Sequence, residues 1–524
     1  MDTLLLSVIA VALFYPSLNI YFVSDNISHI TNAAQNFKDF DYRYFRPLPV
    51  LSLYFDSIIW RANYSGYHLT NLIIHLLNAL LIYFLAKLFL NQRFFAFSAA
   101  LLFLLHPIHS LPIFWISGRT DMICAFFYLA SFGAFIKFRQ TGRQAYLAAS
   151  TLIFVLAMLS KEMAASLPLI LGIYVLIFDR QSSMSLRIKK AVYTTLPYWG
   201  FLLIYGIMRF SFIGKNVFGN TDHSLHSPLQ LIKNTAVYLG LLIVPGGHIE
   251  IANYLKAHPV VFITLSLLSL VVLIFSLRWV KKSRLLLFLL SFVLITLLPV
   301  LRLVMRWYLY IPSVGFSMAI AYLFFKVYRP AHHWRQLSTM LLLFTSLIYA
   351  FFIYQEQNRW LAAGEFSREF TGKLAAKIAE ENLGACYLLN VPGELQEVPV
   401  AIYGLEPFIN FRLANEFGYR QPVTIRSVAY LSLSAPADFH LQTVRKVSAR
   451  SYELSGEKSA AHYYFLQSDL RNRPLKEGVK IFGAGFQQRI EKINERGEVV
   501  KMSVAFEDNG VPVLYFSERS IIVD

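Results

Sequence analysis

In a chain of 524 residues that is 56% hydrophobic, the side chains able to do chemistry stand out against long stretches of hydrocarbon. The first group lies in VSDNISHITNAAQNFKDFDYRYFRPLPVLSLYFD, residues 23–56, with the carboxylates Asp25, Asp39, Asp41 and Asp56 and the cations Arg43 and Arg46. A second, HPIHSLPIFWISGRTD, carries His106, His109, Trp115, Arg119 and Asp121. Lys161 and Glu162 interrupt LSKEMAAS, Arg209, Lys215 and Asp222 follow, and Arg302 and Arg306 lead into RWYLYIPSVGF. Arginine and lysine neutralise a phosphate and stabilise the charge that grows on it as a bond to it breaks. A carboxylate can take the proton from an attacking hydroxyl. Asp25 is the candidate for that role, against the simpler reading of an interfacial acid that stops a membrane helix.

The remaining polar residues are weaker signals. His106 and His109 flank Pro107 and could bind a metal or a sugar, with His248 and Glu250 as further donors. Two histidines without a fitted third ligand are poor metal evidence, so no metal site is expected, although a divalent cation stays open. Trp60, Trp115 and Trp307 could stack on sugar rings or belong to an interfacial aromatic belt. Cys124 and Cys386 lie far apart in the chain and give no disulfide framework.

Elements must hold these residues, and the composition says which. The mean hydropathy is +0.49, with 45 Phe and 30 Tyr, which points to a polytopic membrane protein. Apolar runs fall at about 3–22, 67–90, 94–109, 121–137, 144–160, 164–178, 191–210, 258–277, 285–301, 308–326 and 337–354. In lipid each run must satisfy its own backbone, so the expected architecture is a mainly α bundle of about eleven transmembrane helices. Residues 229–245 are read as a re-entrant or interfacial helix, and 46–61 as an amphipathic helix lying in the interface. Basic residues gather in alternate loops, which places those loops and the N-terminus in the cytoplasm. The first apolar run has no basic flank or cleavage site and reads as a retained span.

Two domains are expected. Residues 1–354 hold 28 Lys/Arg against 10 Asp/Glu, and residues 355–524 hold 20 against 21. The basic excess belongs to the membrane part, where positive loops and anionic lipid explain it without nucleic acid. Residues 355–524 read as a soluble α+β or mostly β domain on the outer side. One helix is expected in SREFTGKLAAKIAEEN and strands in ACYLLNVP, VPVAIYG, TIRSVAYLSLS, AAHYYFLQ, VKMSVAFE and VPVLYFS.

The topology brings the charged groups to one membrane face. That suits a lipid-phosphate sugar, whose phosphate sits at the surface and whose isoprenoid tail sits in the bilayer. Arg306, Arg209, Lys161, Arg119, Arg46 and Arg43 compete for the phosphate. Asp121, Glu162, His106, His109 and Trp115 are candidates for the sugar or the acceptor. Direct attack by the acceptor hydroxyl inverts the anomeric centre.

Ordered blocks carry a family resemblance over roughly residues 10–370. FRPLPVLSLYFD, GYHLTNLIIHLLNALLIYFL, FLLHPIHSLPIFWISGRTDMICAFFYLASF, LSKEMAASLPLIL, RWYLYIPSVGF and NRWLAAGEFSREF occur in this order. Together they resemble the membrane O-mannosyltransferases that carry tetratricopeptide repeats, of the GT-C superfamily. The resemblance implies a polyprenyl-phosphate sugar donor, reaction at the non-cytoplasmic face and a catalytic acid in the first outer loop, here Asp25. Two features depart from the family: Asp25 has Ser24 and Asn26 as neighbours in place of an acid pair, and a strand-rich segment stands where the repeats would follow. These departures favour a bacterial inner-membrane enzyme using an undecaprenyl-linked sugar, with a glycan, lipid or protein acceptor. A transporter or flippase of lipid-linked sugars, or a non-catalytic glycan assembly protein, are the competing expectations. A transporter calls for inverted repeats or paired broken helices, and the sequence shows neither.

Overall fold

The computed structural model describes residues 1–35, 45–179, 182–213, 228–244, 283–328, 332–402, 404–433, 435, 443–456, 462–464, 476–483, 485–494, 499–507, 510–517 and 520–524. Arg43, Lys215, Asp222, His248, Glu250 and the apolar run 258–277 lie outside them. The protein is mostly helical, with a sheet in its C-terminal part. It packs as two compact units. The first holds Met1–Leu18, Asn36–Arg61 and Gly66–Glu356; the second holds Asn19–Gln35, Ala62–Ser65 and Gln357–Asp524. Two early segments, Asn19–Gln35 and Ala62–Ser65, join the later unit.

In the first unit, α1 is Asp2–Phe14 and continues as a 3-10 turn over Tyr15–Asn19. Pro16 has no N–H and its ring crowds the preceding turn, so the α-helix tightens there. The span ends at Asn19, short of the expected Phe22. Asp25 therefore stands further from the helix end than the sequence suggests. After α2 (Asn26–Gln35), which belongs to the second unit, come α3 (Pro47–Trp60), α4 (Tyr64–Phe89), α5 (Arg93–Leu104) and α6 (Ser110–Phe114). Then follow α7 (Arg119–Thr141), α8 (Gln144–Met158), α9 (Leu167–Phe178), α10 (Met184–Ile213) and α11 (Pro228–Ile243). The last three helices before the sheet are α12 (Arg284–Leu297), α13 (Pro312–Val327) and α14 (His332–Glu380).

Among the described residues, five helices are long and apolar enough to cross a membrane. They are Asp2–Asn19, Tyr64–Phe89, Ile116–Thr141, Met184–Ser211 and His333–Glu380, and a sixth is the pair Arg93–Leu104 and Pro107–Phe114, bent by 44°. Shorter apolar helices occupy the expected runs 144–160, 164–178, 285–301 and 308–326. Leu203, Ile204, Ile207 and Phe210 on α10, and Leu343, Phe344 and Leu347 on α14, are exposed. In a helix of spanning length such a surface is what lipid covers. The amphipathic stretch forms as α3, which buries Asp56 and Leu53 and exposes Phe55, Ile58 and Ile59.

Asp179 closes α9 and ties two basic loops together, meeting Arg139 at 3.2 Å and Lys190 at 3.1 Å. Burial works to raise its carboxyl, but Lys190, Ser182 and Arg139 outweigh it and hold Asp179 below the usual carboxylate range. A carboxyl lowered by folding adds stability above its unfolded pKa and loses it as pH falls through the folded value. Asp179→Asn is therefore expected to lower the thermal midpoint at pH 7. The gap to wild type should close below about pH 4, which a melting series against pH checks.

The helix expected over residues 367–382 is the end of α14, a single 49-residue helix that also contains the apolar run 337–354. Beyond it, β1 (Ala385–Leu395) pairs in parallel with β3 (Thr424–Leu433) and β10 (Val513–Ser517). The sheet runs β11-β10-β1-β3-β6-β9-β5-β4, where β4 is Thr443–Ser448, β5 Ser451–Ser455, β6 His462–Tyr464, β9 Val499–Phe506 and β11 Ser520–Val523. β7 (Lys480–Gly483) pairs β8 (Phe486–Ile493), which pairs β9. Tyr452 and Tyr515 meet at 5.7 Å between ring centroids, and Tyr387, Phe486 and Phe506 cluster beside them. The helix Leu405–Glu416, α15, was not anticipated.

VPVAIYG is not the strand its composition suggests. β2 is only Val398–Pro399, since Pro399 brings no N–H to the ladder, and the next two N–H groups both donate to Gly393 O. The turn before it puts Gln396 at φ 51° and Glu397 at φ 67°. Two successive positive φ values match the hairpin turns that favour Asn-Gly. Changing Gln396→Asn together with Glu397→Gly is expected to stabilise this unit by roughly 1 kcal/mol, seen as a higher melting temperature.

Candidate functional site

Two ion pairs, one buried and one partly exposed, lie in the first unit at the polar break between α8 and α9. Ser160 and Lys161 leave the helix there, and Glu162–Ser166 form a 3-10 turn before Pro168 starts the next helix. Lys161 Nζ donates to Asp121 Oδ1 at 2.6 Å, and the two side chains are 3% and 6% exposed. Its ammonium also lies 4.7 Å from the centre of the Tyr308 ring. The next residue, Glu162, accepts both a 2.6 Å and a 3.1 Å bond from Arg46. This fork is the bidentate geometry that makes Arg–carboxylate pairs strong and directional. Arg46 stands just ahead of Pro47 at the start of α3, and Leu48 N reaches Leu159 O at 3.4 Å. Four charged groups from three segments are thus brought together by packing.

Arg119 is held differently. It is 0% exposed and donates to Asp56 Oδ2 (2.6 Å), Ser52 Oγ, Tyr67 O and Ile116 O. Thr70 donates to the other oxygen of Asp56 at 3.0 Å. Gly118 lets the chain pass: a Cβ there would come within 2.6 Å of Pro112 Cα and O. The guanidinium locks α3, α4 and α7 together. Arg306 lies 3.3 Å from Glu356, and its buried Nε has no partner among the described residues. Arg209 reaches Tyr205 on its own helix.

His106 and His109 sit in a closed aromatic core. His106 Nε2 meets Leu242 O at 3.0 Å, and His109 meets Phe103 O and Ser313 Oγ, both at 2.8 Å. His75 joins them, with Tyr310 OH at 2.7 Å. Their nitrogens thus bond to backbone and hydroxyl groups, the role of core histidines. No group of three or more His, Cys, Asp or Glu side chains suited to a metal occurs among the described residues. Trp115 meets Trp307 edge-on at 5.7 Å.

Asp25 belongs to the second unit. Its segment is built into the body formed by the residues after 356. Ser24 N donates to Val400 O at 2.6 Å, and Ser367 Oγ donates to Phe22 O at 2.9 Å. Tyr21 and Phe22 lie against Phe408, and α2 packs on α15. Gly404, at φ 75°, passes so close that a Cβ would lie 3.2 Å from Asp25 Cα. Ser24 is held at φ 53°, and the buried Ser24 hydroxyl and Asn26 amide have no partners among the described residues. Strained backbone and orphaned buried polar atoms are both costly and collect at functional positions. Asp25 Oδ2 meets His29 Nε2 at 3.2 Å. The sequence reading missed His29; its signal is the four-residue spacing from Asp25, which one helical turn converts into contact.

Residues 57–212 match the family described as dolichyl-phosphate-mannose-protein mannosyltransferase. By this match and the relatives below, the chain is similar to protein mannosyltransferases. Within that class it is similar to the protein O-mannosyl-transferases TMTC3 of Mus musculus and TMTC2 of Homo sapiens. The first is 30% identical over 156 residues, 26% of this chain and 16% of the relative. The second is 30% identical over 181 residues, 33% and 21% of the two chains. The chain thus spans about a fifth of the length of these curated relatives. Among solved structures, ArnT from Cupriavidus metallidurans bound to undecaprenyl phosphate aligns with a TM-score of 0.43 and 13% identity, over 84% of this chain and 95% of that one. The Archaeoglobus fulgidus oligosaccharyltransferase in complex with Zn and sulfate aligns at 0.41 and 15%, over 74% and 60%.

Proposed function

We propose that this chain is an inverting glycosyltransferase that moves a sugar from a polyprenyl-phosphate donor to an acceptor hydroxyl at the outer face of the membrane. The observation that carries the reading is the double ion pair Arg46–Glu162 and Lys161–Asp121. Of the two, Lys161–Asp121 is buried; buried charges are expensive, and inside a membrane bundle they mark functional sites by default. The match over residues 57–212, which include Asp121, Lys161 and Glu162, supports the same reading.

Arg46 and Lys161 are assigned to the donor phosphate, with Arg306 and its buried Nε as a third cation. Glu162 and Asp121 hold the first two in place, and Trp115 is assigned to the sugar or acceptor. Arg119 holds the fold, and His106 and His109 fill the core. Arg43 and Arg209 keep the phosphate role the sequence suggests for them. Asp25 is assigned as general base. The acceptor oxygen bonds to the anomeric carbon as the bond from that carbon to the phosphate oxygen breaks. The electron pair stays on the phosphate, and the acceptor proton passes to Asp25. A bacterial cytoplasmic membrane, with the N-terminus inside and residues 355–524 outside, completes the assignment.

The test uses purified full-length protein in sealed vesicles with radiolabelled undecaprenyl-phosphate hexoses and a mixture of glycan, lipid and peptide acceptors. An enzyme converts the donor to undecaprenyl phosphate and labelled product. Donor recovered intact in the opposite leaflet would instead make the protein a transporter. Donor neither moved nor consumed would point to an assembly role.

A further inference from the structure

We propose that His29 is the proton-relay partner of Asp25, so that the two side chains accept the acceptor's proton as one unit. The inference rests on the transferase reading above and deepens it. Between Asn19 and Gln35 the ionisable side chains are Tyr21, Asp25 and His29 alone. The first turn of α2 brings Asp25 Oδ2 to 3.2 Å from His29 Nε2, with the carboxylate side chain 18% exposed and the imidazole 52% exposed. A half-sheltered acid thus touches a ring that reaches water. Neighbouring charges from the elements packed on this segment have partners of their own. On α15, Glu406 accepts from Ile425 N, and Arg412 pairs with Glu416. On α14, Arg368 lies over the Tyr21 ring, Glu369 pairs with Lys373, and Glu365 is exposed. From the loop at Val400, the carbonyl of that residue accepts from Ser24 N.

A helix-start ion pair would need none of what surrounds this one. The backbone at Ser24 is strained, and the Ser24 hydroxyl and Asn26 amide on either side of Asp25 are buried without partners among the described residues. Such costs persist where the conformation itself has a use.

The step balances as follows. As the acceptor O–H breaks, its proton goes to Asp25 and the oxygen bonds to the anomeric carbon, while the leaving electron pair remains on the phosphate. The proton then moves from Asp25 Oδ2 to His29 Nε2, in the tautomer with its hydrogen on Nδ1. The resulting imidazolium stays paired with the restored carboxylate until the exposed ring gives a proton to water.

The experiment measures initial transfer rates from radiolabelled undecaprenyl-phosphate hexose against pH for full-length wild type, His29→Gln and His29→Ala. Glutamine can still hydrogen-bond to Asp25 but cannot carry a proton. Wild type should show an acidic limb that His29→Gln displaces to lower pH, with kcat at pH 7 down about 10- to 100-fold and KM unchanged. Added imidazole should restore turnover to His29→Ala and not to His29→Gln. A His29→Gln profile that overlays wild type, or a His29→Ala variant that folds but is not rescued, overturns the relay. If His29→Gln does not fold, His29→Asn takes its place, and the rescue decides by itself. Wild type inactive with every donor would sink the transferase reading, whereas an active wild type with an indifferent His29 sinks only this inference.

Discussion

Asp25→Asn should abolish transfer, lowering the rate by about 10²- to 10⁴-fold, the usual worth of a positioned general base. The change is close to isosteric, and it removes the basic oxygen without disturbing what holds the loop. Phe22, Val23, Ile27 and Ile30 stay buried, and the Ser24 N to Val400 O bond is a backbone contact. The variant should therefore melt with wild type and bind donor with an unchanged KM. Such a split separates chemistry from binding, because a loss confined to kcat belongs to the transition state. A variant that keeps more than a tenth of wild-type turnover would remove Asp25 from the base role and leave it a loop acid.

Arg119→Met should be strongly destabilising, and for a different reason. Methionine fills part of the space but leaves Asp56 buried, facing only Thr70 among the described residues. Removing one partner of a buried ion pair typically costs about 3–5 kcal/mol, since the other charge stays without compensation. Tyr67 O and Ile116 O each lose the guanidinium donor as well. The expected result is a large fall in the thermal midpoint and in the yield of folded protein. Adding Asp56→Leu should recover much of the loss, because a well-packed apolar pair often equals a buried ionic one. If Arg119→Met melts with wild type and loses only donor affinity, the guanidinium acts on the phosphate, as its sequence position first suggests. The double variant distinguishes the two, since only a fold-holding Arg119 is rescued by neutralising Asp56.

These two predictions show how legible the protein is. Helices of spanning length follow from apolar runs alone, because a lipid-facing helix must satisfy its backbone internally and cover itself with hydrocarbon. The change of character near residue 355 was also readable, from the balance of 20 basic against 21 acidic residues and from the alternating strand patterns that follow. Partners were not readable. Arg119 and Lys161 look alike in sequence, each a cation in a polar gap between apolar runs. One is sealed against Asp56, 63 residues away, and the other against Asp121, 40 residues away. Glu162 is claimed by Arg46 across 116 residues.

Composition and periodicity by themselves thus determined that the chain has helices long and apolar enough to cross a membrane, roughly where those helices run and which charges interrupt them. Tertiary structure decided which cation meets which carboxylate. It also decided that the segment around Asp25 packs with Val400, Gly404 and Phe408, almost four hundred residues later. The reason is physical. Helical periodicity is a local property, written by residues three or four apart. Ion pairs and close backbone approaches depend on how distant elements dock, and no local pattern encodes that.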